Sequence, residues 1–216
     1  MEEISGKQGE FSDLYIHSQD DVKQASIVFQ NAFIDNPMFK YLLPERKSRQ
    51  DKLRFVFEYM IKYGLRYGVV YSPTENMKAI AIWISGDYVN ETFWRQIRAG
   101  GLKTIWKLGI KFLKKQISLF EYTERTYKSA LEQIVGKHIY LYSICVSPES
   151  QGKGLATQLL TPMLNFSQRN AIPIYLETAK NDNIPLYEHF GFQIYAKDKI
   201  KGTPYTNYGM LRIPKK

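Results

Sequence analysis

The sequence has 216 residues, a length that suits one large domain or one domain with a substantial insertion. Hydrophobic residues make up 44% and aromatic residues 14%, enough for a true core and enough to exclude wholesale disorder. Lysine plus arginine number 30 against 21 aspartate plus glutamate, a net charge of +9. That field favours an anionic partner (nucleic acid, a membrane surface or a phosphorylated cofactor) without choosing among them.

Met1 to Lys7 lacks the basic and apolar regions of a secretory leader, and residues 1 to about 10 are polar and expected to fray. Leu14 to His17 reads as a short strand. Asp20 or Asp21 is placed to cap a helix with Val22, Ala25, Val28, Phe29, Ala32 and Phe33 on its apolar side. Asp35-Asn36-Pro37 breaks it. A second helix is expected over about 46–66. Gly68 to Tyr71 and Lys78 to Ser85 look like a hairpin joined by the turn chemistry of Pro73 to Asn76. The longest apolar run, Ala79 to Ile84, is far shorter than the roughly 20 residues of a membrane span.

From about Asp87 to Gly136 the character changes. Leu102, Ile105, Trp106, Leu113 and Ile117 recur at helical spacing, opposite Lys103, Lys107, Lys111, Lys114 and Lys115. No acidic residue occurs between Glu91 and Glu121. This segment reads either as a basic amphipathic surface for lipid or polyanion or as the solvated face of helices packed on the core and partly lidding a cleft. Gly100, Gly101 and Gly109 weaken a long continuous membrane helix and favour the second reading. No stable membrane association is expected. The stripe also lacks the aromatic interleaving of a single-strand binder, so no nucleic acid is expected.

The last third alternates. Strands are expected at Ile139–Val146, Pro173–Thr178, Phe192–Ile200 and Tyr205–Ile213. Helices are expected from Gly154 to about Asn170 and from Asn183 to Phe190. Strand–helix–strand at this spacing implies a right-handed crossover between two parallel strands. The remaining strands are close enough in sequence to pair antiparallel, which gives a mixed α/β sheet. Cys145 is the single cysteine, so no intrachain disulfide is available and a reducing, cytoplasmic location is expected. Its place between Ile144 and Val146 reads as a buried strand thiol. His17, His138 and His189 lack metal-ligand spacing, and no metal is expected.

The informative run is Val146-Ser147-Pro148-Glu149-Ser150-Gln151-Gly152-Lys153-Gly154-Leu155-Ala156-Thr157. A strand ends at Val146 and a helix begins near Gly154. Small residues at 152, 154 and 156 admit an anion to the backbone, where free amides of the first helical turn and the helix dipole attract it. Lys153 either adds a point charge or is solvated. A P-loop requires G-x-x-x-x-G-K-[ST], and that pattern fails here. A Rossmann fingerprint fits at Gly152-Lys153-Gly154, with Glu177 near the distance of a ribose-binding acid, but Thr157 occupies its third position and the run lies late in the chain.

Gln151-Gly152-Lys153-Gly154-Leu155-Ala156 resembles the [RQ]-x-x-G-x-[GA] acetyl-CoA loop of the GNAT superfamily of acyl-CoA-dependent N-acyltransferases. Asn183-Ile184-Pro185-Leu186-Tyr187-Glu188-His189-Phe190-Gly191-Phe192 resembles its [LF]-Y-x-x-x-G-F element. The resemblance covers residues 138–213 firmly and 11–85 more weakly. Ile174 to Thr178, with Asn183 four before the tyrosine, is most similar to the puromycin acetyltransferase-like branch. The resemblance implies one domain over 1–216, with a mostly antiparallel sheet of about seven strands splayed between strands 4 and 5, flanked by helices. Residues 87–136 form a helical insertion after strand 3.

The resemblance also implies acetyl-CoA as cofactor and a site. The pantetheine arm is expected to pair with the freed backbone of Cys145 and Val146, and the diphosphate to sit on the amides from Gln151 to Thr157. The backbone N–H of Ile144 faces the thioester carbonyl, an oxyanion donor of the kind worth about 3 kcal/mol. Tyr187 is expected as general acid toward the leaving thiolate. Asn183 is placed to cap the last helix and to touch the pantetheine arm. A lysine-like amine at pH 7 costs roughly 4.6 kcal/mol to deprotonate, so a base is needed: Glu177 first, then Glu124 and His138. The implied reaction acetylates a primary amine of a small molecule or peptide by direct attack in a ternary complex. The alternative is a non-catalytic module that senses CoA or docks a polyanion. Self-association as a homodimer stays open.

Overall fold

The computed structural model describes residues 11–134, 136–200 and 203–215; the fraying expected for residues 1–10 lies outside them. Seven strands form one sheet: β1 (Tyr15–Ile16), β2 (Gly68–Ser72), β3 (Ala79–Ser85), β4 (Ile139–Val146), β5 (Ile174–Thr178), β6 (Gln193–Lys199) and β7 (Thr206–Arg212). Their order is β1-β2-β3-β4-β5-β7-β6. Among the described residues, only β4 and β5 run parallel; every other pairing is antiparallel. Eight α-helices are described: α1 (Val22–Phe33), α2 (Pro37–Leu42), α3 (Arg46–Tyr67), α4 (Phe93–Arg98), α5 (Gly101–Leu108), α6 (Ile110–Leu131), α7 (Leu155–Asn170) and α8 (Ile184–His189).

The apolar run at 79–84 is unbroken because β3 is covered on both faces. Ala79, Ala81 and Trp83 pack into one core with Leu159, Leu160 and Met163 of α7. Ile80 and Ile82 point the other way, into a second core with Ala25 and Phe29 of α1 and Leu53 and Phe57 of α3. Phe29 and Phe57 stack with ring centroids 4.9 Å apart. Truncation of such a buried ring typically costs about 3–5 kcal/mol.

Two sequence expectations change here. Asp21 stands at the N-cap of α1 without a side-chain cap bond. Its carboxylate instead accepts from the Ser18 N–H, the Ser18 hydroxyl and the Tyr15 hydroxyl, so it closes the turn that leads into the helix. The break at 35–37 is also the start of a helix: Asn36 accepts from the Met38 N–H at 2.9 Å, and Pro37 begins α2, where its fixed φ and missing N–H cost nothing.

The feature that positions the site is a fork. β4 pairs with β5 only at Ile139↔Ile174, Tyr140↔Tyr175 and Leu141↔Leu176. Beyond that, β4 stays on β3 as far as Val146, while β5 stays on β7 as far as Thr178. A register shift gives the fork its cause. Ile82 pairs with Ser143 and Trp83 with Leu141, which leaves Tyr142 as the extra residue of a β-bulge. A bulge bends its strand and increases the local twist, and this one lies where β4 leaves β5.

Candidate functional site

On one side of the fork lies the loop between β4 and α7. Gly152 and Gly154 both have φ +75°, a left-handed conformation that disfavours any side chain. A Cβ at either would meet nothing within 4 Å, so the cradle is open. Among the described residues, no acceptor bonds the main-chain N–H groups from Gly152 to Thr157. These groups open the N-terminal turn of α7, where the helix dipole adds positive potential. The Gln151 N–H is different, because it is turned onto the Pro148 carbonyl at 3.4 Å. The Lys153 ammonium donates to the Glu149 carbonyl at 2.9 Å, so this exposed side chain folds back on its own loop. Run, dipole and open space fit a diphosphate held by main chain.

The splayed backbone of β4 follows from register. The Ser147 N–H bonds the Lys78 carbonyl at 2.8 Å, and Cys145 stands opposite Ile80 in the same register. Antiparallel strands alternate bonded and non-bonded residues, so Ser147 and Cys145 turn their main chains to β3. Ile144 and Val146 turn theirs to the fork, where no strand among the described residues receives them. This corrects the expectation for Cys145: its amide does not face the gap, and its thiol is buried in the α1/α3 core, where desolvation pushes its pKa well up. Tyr187, on α8, is buried in the α7 core, the same cluster on which Ile144, Val146 and Leu155 pack. Its ring meets Phe192 edge to face at 5.9 Å. Burial alone pushes its phenol up to about 12. Asn183 precedes α8 without a side-chain cap bond, and its amide donates to Thr178 Oγ1 at 3.4 Å. It ties α8 to the end of β5 rather than capping.

On the other side of the fork lies a cavity of about 630 Å³, roofed by Gln96, Thr104, Leu108 and Phe112 of α4–α6 and floored by Tyr140, Tyr142 and Glu177 of the sheet. Its lining is mostly apolar, and three carboxylates enter it. Glu177 is half-buried at the first position past the last β4–β5 pair. Desolvation raises its carboxyl to about 7 against the opposing effect of a hydrogen bond from Tyr175, whose hydroxyl donates to Oε1 at 2.6 Å. Glu91, just before α4, accepts from the Tyr59 hydroxyl at 2.5 Å and from the Tyr142 hydroxyl. Burial nevertheless raises its pKa. Glu124 is engaged by Lys128 at 2.7 Å, one turn along α6. His138, the other candidate base, is buried against the Tyr127 hydroxyl at 2.8 Å, and desolvation lowers its pKa.

The structure therefore brings Glu177, Glu124, Tyr140 and Tyr142 to one cavity and leaves His138 outside its lining. Glu91 and its two tyrosines are additions to the sequence reading. Tyr59 and Tyr142 lie 32 and 51 residues from it in the chain, so no local pattern announces the trio. The one available signal was Glu91 itself, the last acid before a long acid-free stretch. Among the described residues, no group of three or more His, Cys, Asp or Glu side chains gathers as a metal site, and no helix is long and apolar enough to cross a membrane.

The sequence profile of the Acetyltransferase (GNAT) family matches residues 117–192. An uncharacterised N-acetyltransferase of Schizosaccharomyces pombe is 29% identical over 175 residues, covering 80% of this chain and 70% of that protein. A solved structure described as histone acetyltransferase HPA2 and related acetyltransferase, from Corynebacterium glutamicum, superposes with a TM-score of 0.62 at 19% identity, over 94% of this chain and 98% of that one. Arylalkylamine N-acetyltransferase 2 from Aedes aegypti gives a TM-score of 0.62 at 14% identity, over 94% of this chain and 98% of that one. At these identities the two structures share the fold.

Proposed function

We propose that this chain, whose residues 117–192 match the GNAT acetyltransferase family model, transfers acetyl from acetyl-CoA to a primary amine bearing a bulky apolar body, by direct attack in a ternary complex. The observation that carries this reading is the fork: open main-chain donors on one side, and an apolar cavity holding Glu177 and Glu91 on the other. When bound, acetyl-CoA supplies an activated acyl thioester. The N–H groups from Gly152 to Thr157 would hold its diphosphate, and the fork-facing main chain of Val146 would receive its amide-bearing arm like an added strand. The Ile144 N–H would donate to the thioester carbonyl oxygen, where negative charge develops.

Glu177 takes the proton from the amine. An ordinary glutamate near 4.5 is a poor match for an ammonium near 10.4. Raising the carboxyl to about 7 recovers roughly 3 kcal/mol of that mismatch and puts the base where general catalysis works best. Glu91, fixed by the Tyr59 and Tyr142 hydroxyls, places a second carboxyl in an otherwise apolar cavity, able to accept a hydrogen bond from the amine. Tyr187 donates to the leaving sulfur. With the phenol at about 12 and a thiol near 8.5, complete proton transfer is uphill by about 5 kcal/mol. Its contribution is therefore a hydrogen bond to the departing thiolate more than a finished transfer.

Two measurements test the proposal. Acetyl-CoA at a hundredfold excess over its Kd adds about 2.7 kcal/mol of stability, so melting rises by several degrees for a chain of this size; no shift at millimolar ligand defeats the cofactor assignment. A panel of amines is then followed by free-thiol release. Aromatic ethylamines are expected to turn over faster than short polar amines or polyamines. Cofactor binding without turnover of any amine would identify a CoA-sensing module instead.

A further inference from the structure

The apolar stripe read from residues 102–117 divides. Leu102, Ile105 and Trp106 stand exposed, Trp106 at 77%, whereas Leu113 is half-buried and Ile117 borders the cavity. The residues turned inward are Leu108, Phe112 and Leu119. The reason is local. Gly100 at φ +91° and Gly109 at φ +80° break the segment into α4, α5 and α6, so no single helical periodicity runs through it. α5 is left with Leu102, Ile105 and Trp106 at i, i+3 and i+4, one stripe presented to solvent. Ile110 is exposed just beyond it, and on α4 Phe93 and Trp94 stand exposed, edge to face with each other.

Exposed basic residues stand within this stripe and follow it along the chain. Lys107, Lys111 and Lys114 are exposed, and the Lys107 ammonium lies 4.6 Å from the centre of the Trp106 ring. Lys103 and Lys115 are engaged elsewhere, on Glu58 and on the Tyr41 carbonyl. No acidic residue interrupts positions 92–120.

We propose that α5 and the helix ends beside it form an interfacial docking surface for an anionic lipid bilayer. The amphipathic stripe with exposed tryptophan and lysines matches what such a surface selects: aromatic and aliphatic side chains enter the headgroup boundary, and lysines meet the anionic headgroups. The other occupants fit less well. A second copy in a two-fold pairing would set Lys107, Lys111 and Lys114 close to their own copies, with no acid in the segment to receive them. A soluble polyanion would satisfy the lysines but leave Leu102, Ile105 and Ile110 in water. This takes up the first of the two readings of the segment and departs from the expectation of no stable membrane association; the cleft-lidding part of the second reading stands, since Thr104, Leu108 and Phe112 line the cavity. It does not depend on turnover.

The test is co-sedimentation of the full chain with vesicles of phosphatidylcholine alone or with 30% phosphatidylserine, at physiological salt. Binding is expected to the anionic vesicles and to be at least ~10-fold weaker to neutral ones, given the worth of each lysine near such a surface. Lys107→Gln/Lys111→Gln/Lys114→Gln and, separately, Leu102→Ala/Trp106→Ala are each expected to weaken binding ~10-fold or more, with melting temperature unchanged because these side chains are exposed. Brominated lipid is expected to quench the tryptophan fluorescence of the wild type and less that of Leu102→Ala/Trp106→Ala. Failure to sediment with anionic vesicles overturns the proposal. So does binding that the Leu102/Trp106 change leaves intact, which marks a purely electrostatic polyanion surface. A shift in oligomeric state on that same change, without lipid, also overturns it and assigns the face to a second copy.

Discussion

The two sides of the fork present opposite kinds of group. The loop at 152–157 offers main-chain N–H groups, and the one charged side chain within it, Lys153, is folded back on the Glu149 carbonyl. The cavity offers side chains, with Glu177 and Glu91 held by phenols that arrive from β4, β5 and α3. The contrast predicts where each side is fragile. A main-chain cradle tolerates changed side chains but not a changed backbone conformation. A side-chain cage keeps its shape through neutral backbone changes and fails when one carboxyl is lost.

Replacing Glu177 is the sharpest test of that contrast and the largest expected effect. Glu177→Gln lowers kcat/KM by about 10²–10³. In the wild type the rate rises with pH up to about 7, where the carboxyl ionises, and then levels. The Gln variant loses that ascending limb. Linkage gives a second readout. A carboxyl raised above its unfolded value stabilises the fold fully below about 4.5, and that contribution is lost as pH rises through about 7. Denaturant unfolding at pH 4.5 and pH 8 therefore shows a pH-dependent difference that the Gln variant reduces.

Tyr187→Phe comes next, with kcat down about 10–100-fold by loss of one donor to the leaving group and coenzyme affinity nearly intact by calorimetry. Wild-type turnover would remove Tyr187 from the chemistry. The smallest effects belong to the loop and break the comparison most cleanly. Gly154→Ala at φ +75° costs about 1–2 kcal/mol of stability and weakens coenzyme binding about tenfold as the amide run is displaced. Lys153→Ala changes coenzyme Kd by less than about threefold, because its charge is solvent-screened. A reversed order for this pair would make the loop a side-chain site.

What the sequence disclosed follows the same division. The loop's conformation was legible because a positive φ demands glycine, so Gly152 and Gly154 advertise the turn, and because Val146 and Leu155 mark the strand and helix on either side. The strand order's one parallel pair was legible from the spacing of β4, α7 and β5. The cavity was not. Glu91, Tyr59, Tyr142 and Glu177 come from separate elements, and only the fold brings them together. The bulge at Tyr142 was hidden too, since an extra residue in a strand leaves no composition of its own; it is what shifts Cys145 off the fork and Ile144 and Val146 onto it. The segment at 102–117 left two facings open in the sequence, and the fold divides them: Leu102, Ile105 and Trp106 of α5 face solvent, while Leu108 and Phe112 turn onto the cavity.

If the thioester and the amine meet at the fork between β4 and β5, a crystal structure with coenzyme A will show it: the diphosphate on the amides of Gly152 to Thr157, the arm along Val146 and Ile144, and the sulfur between Tyr187 and the cavity that holds Glu177. A nucleotide lodged elsewhere, or a fork closed by side chains with coenzyme bound, would contradict it.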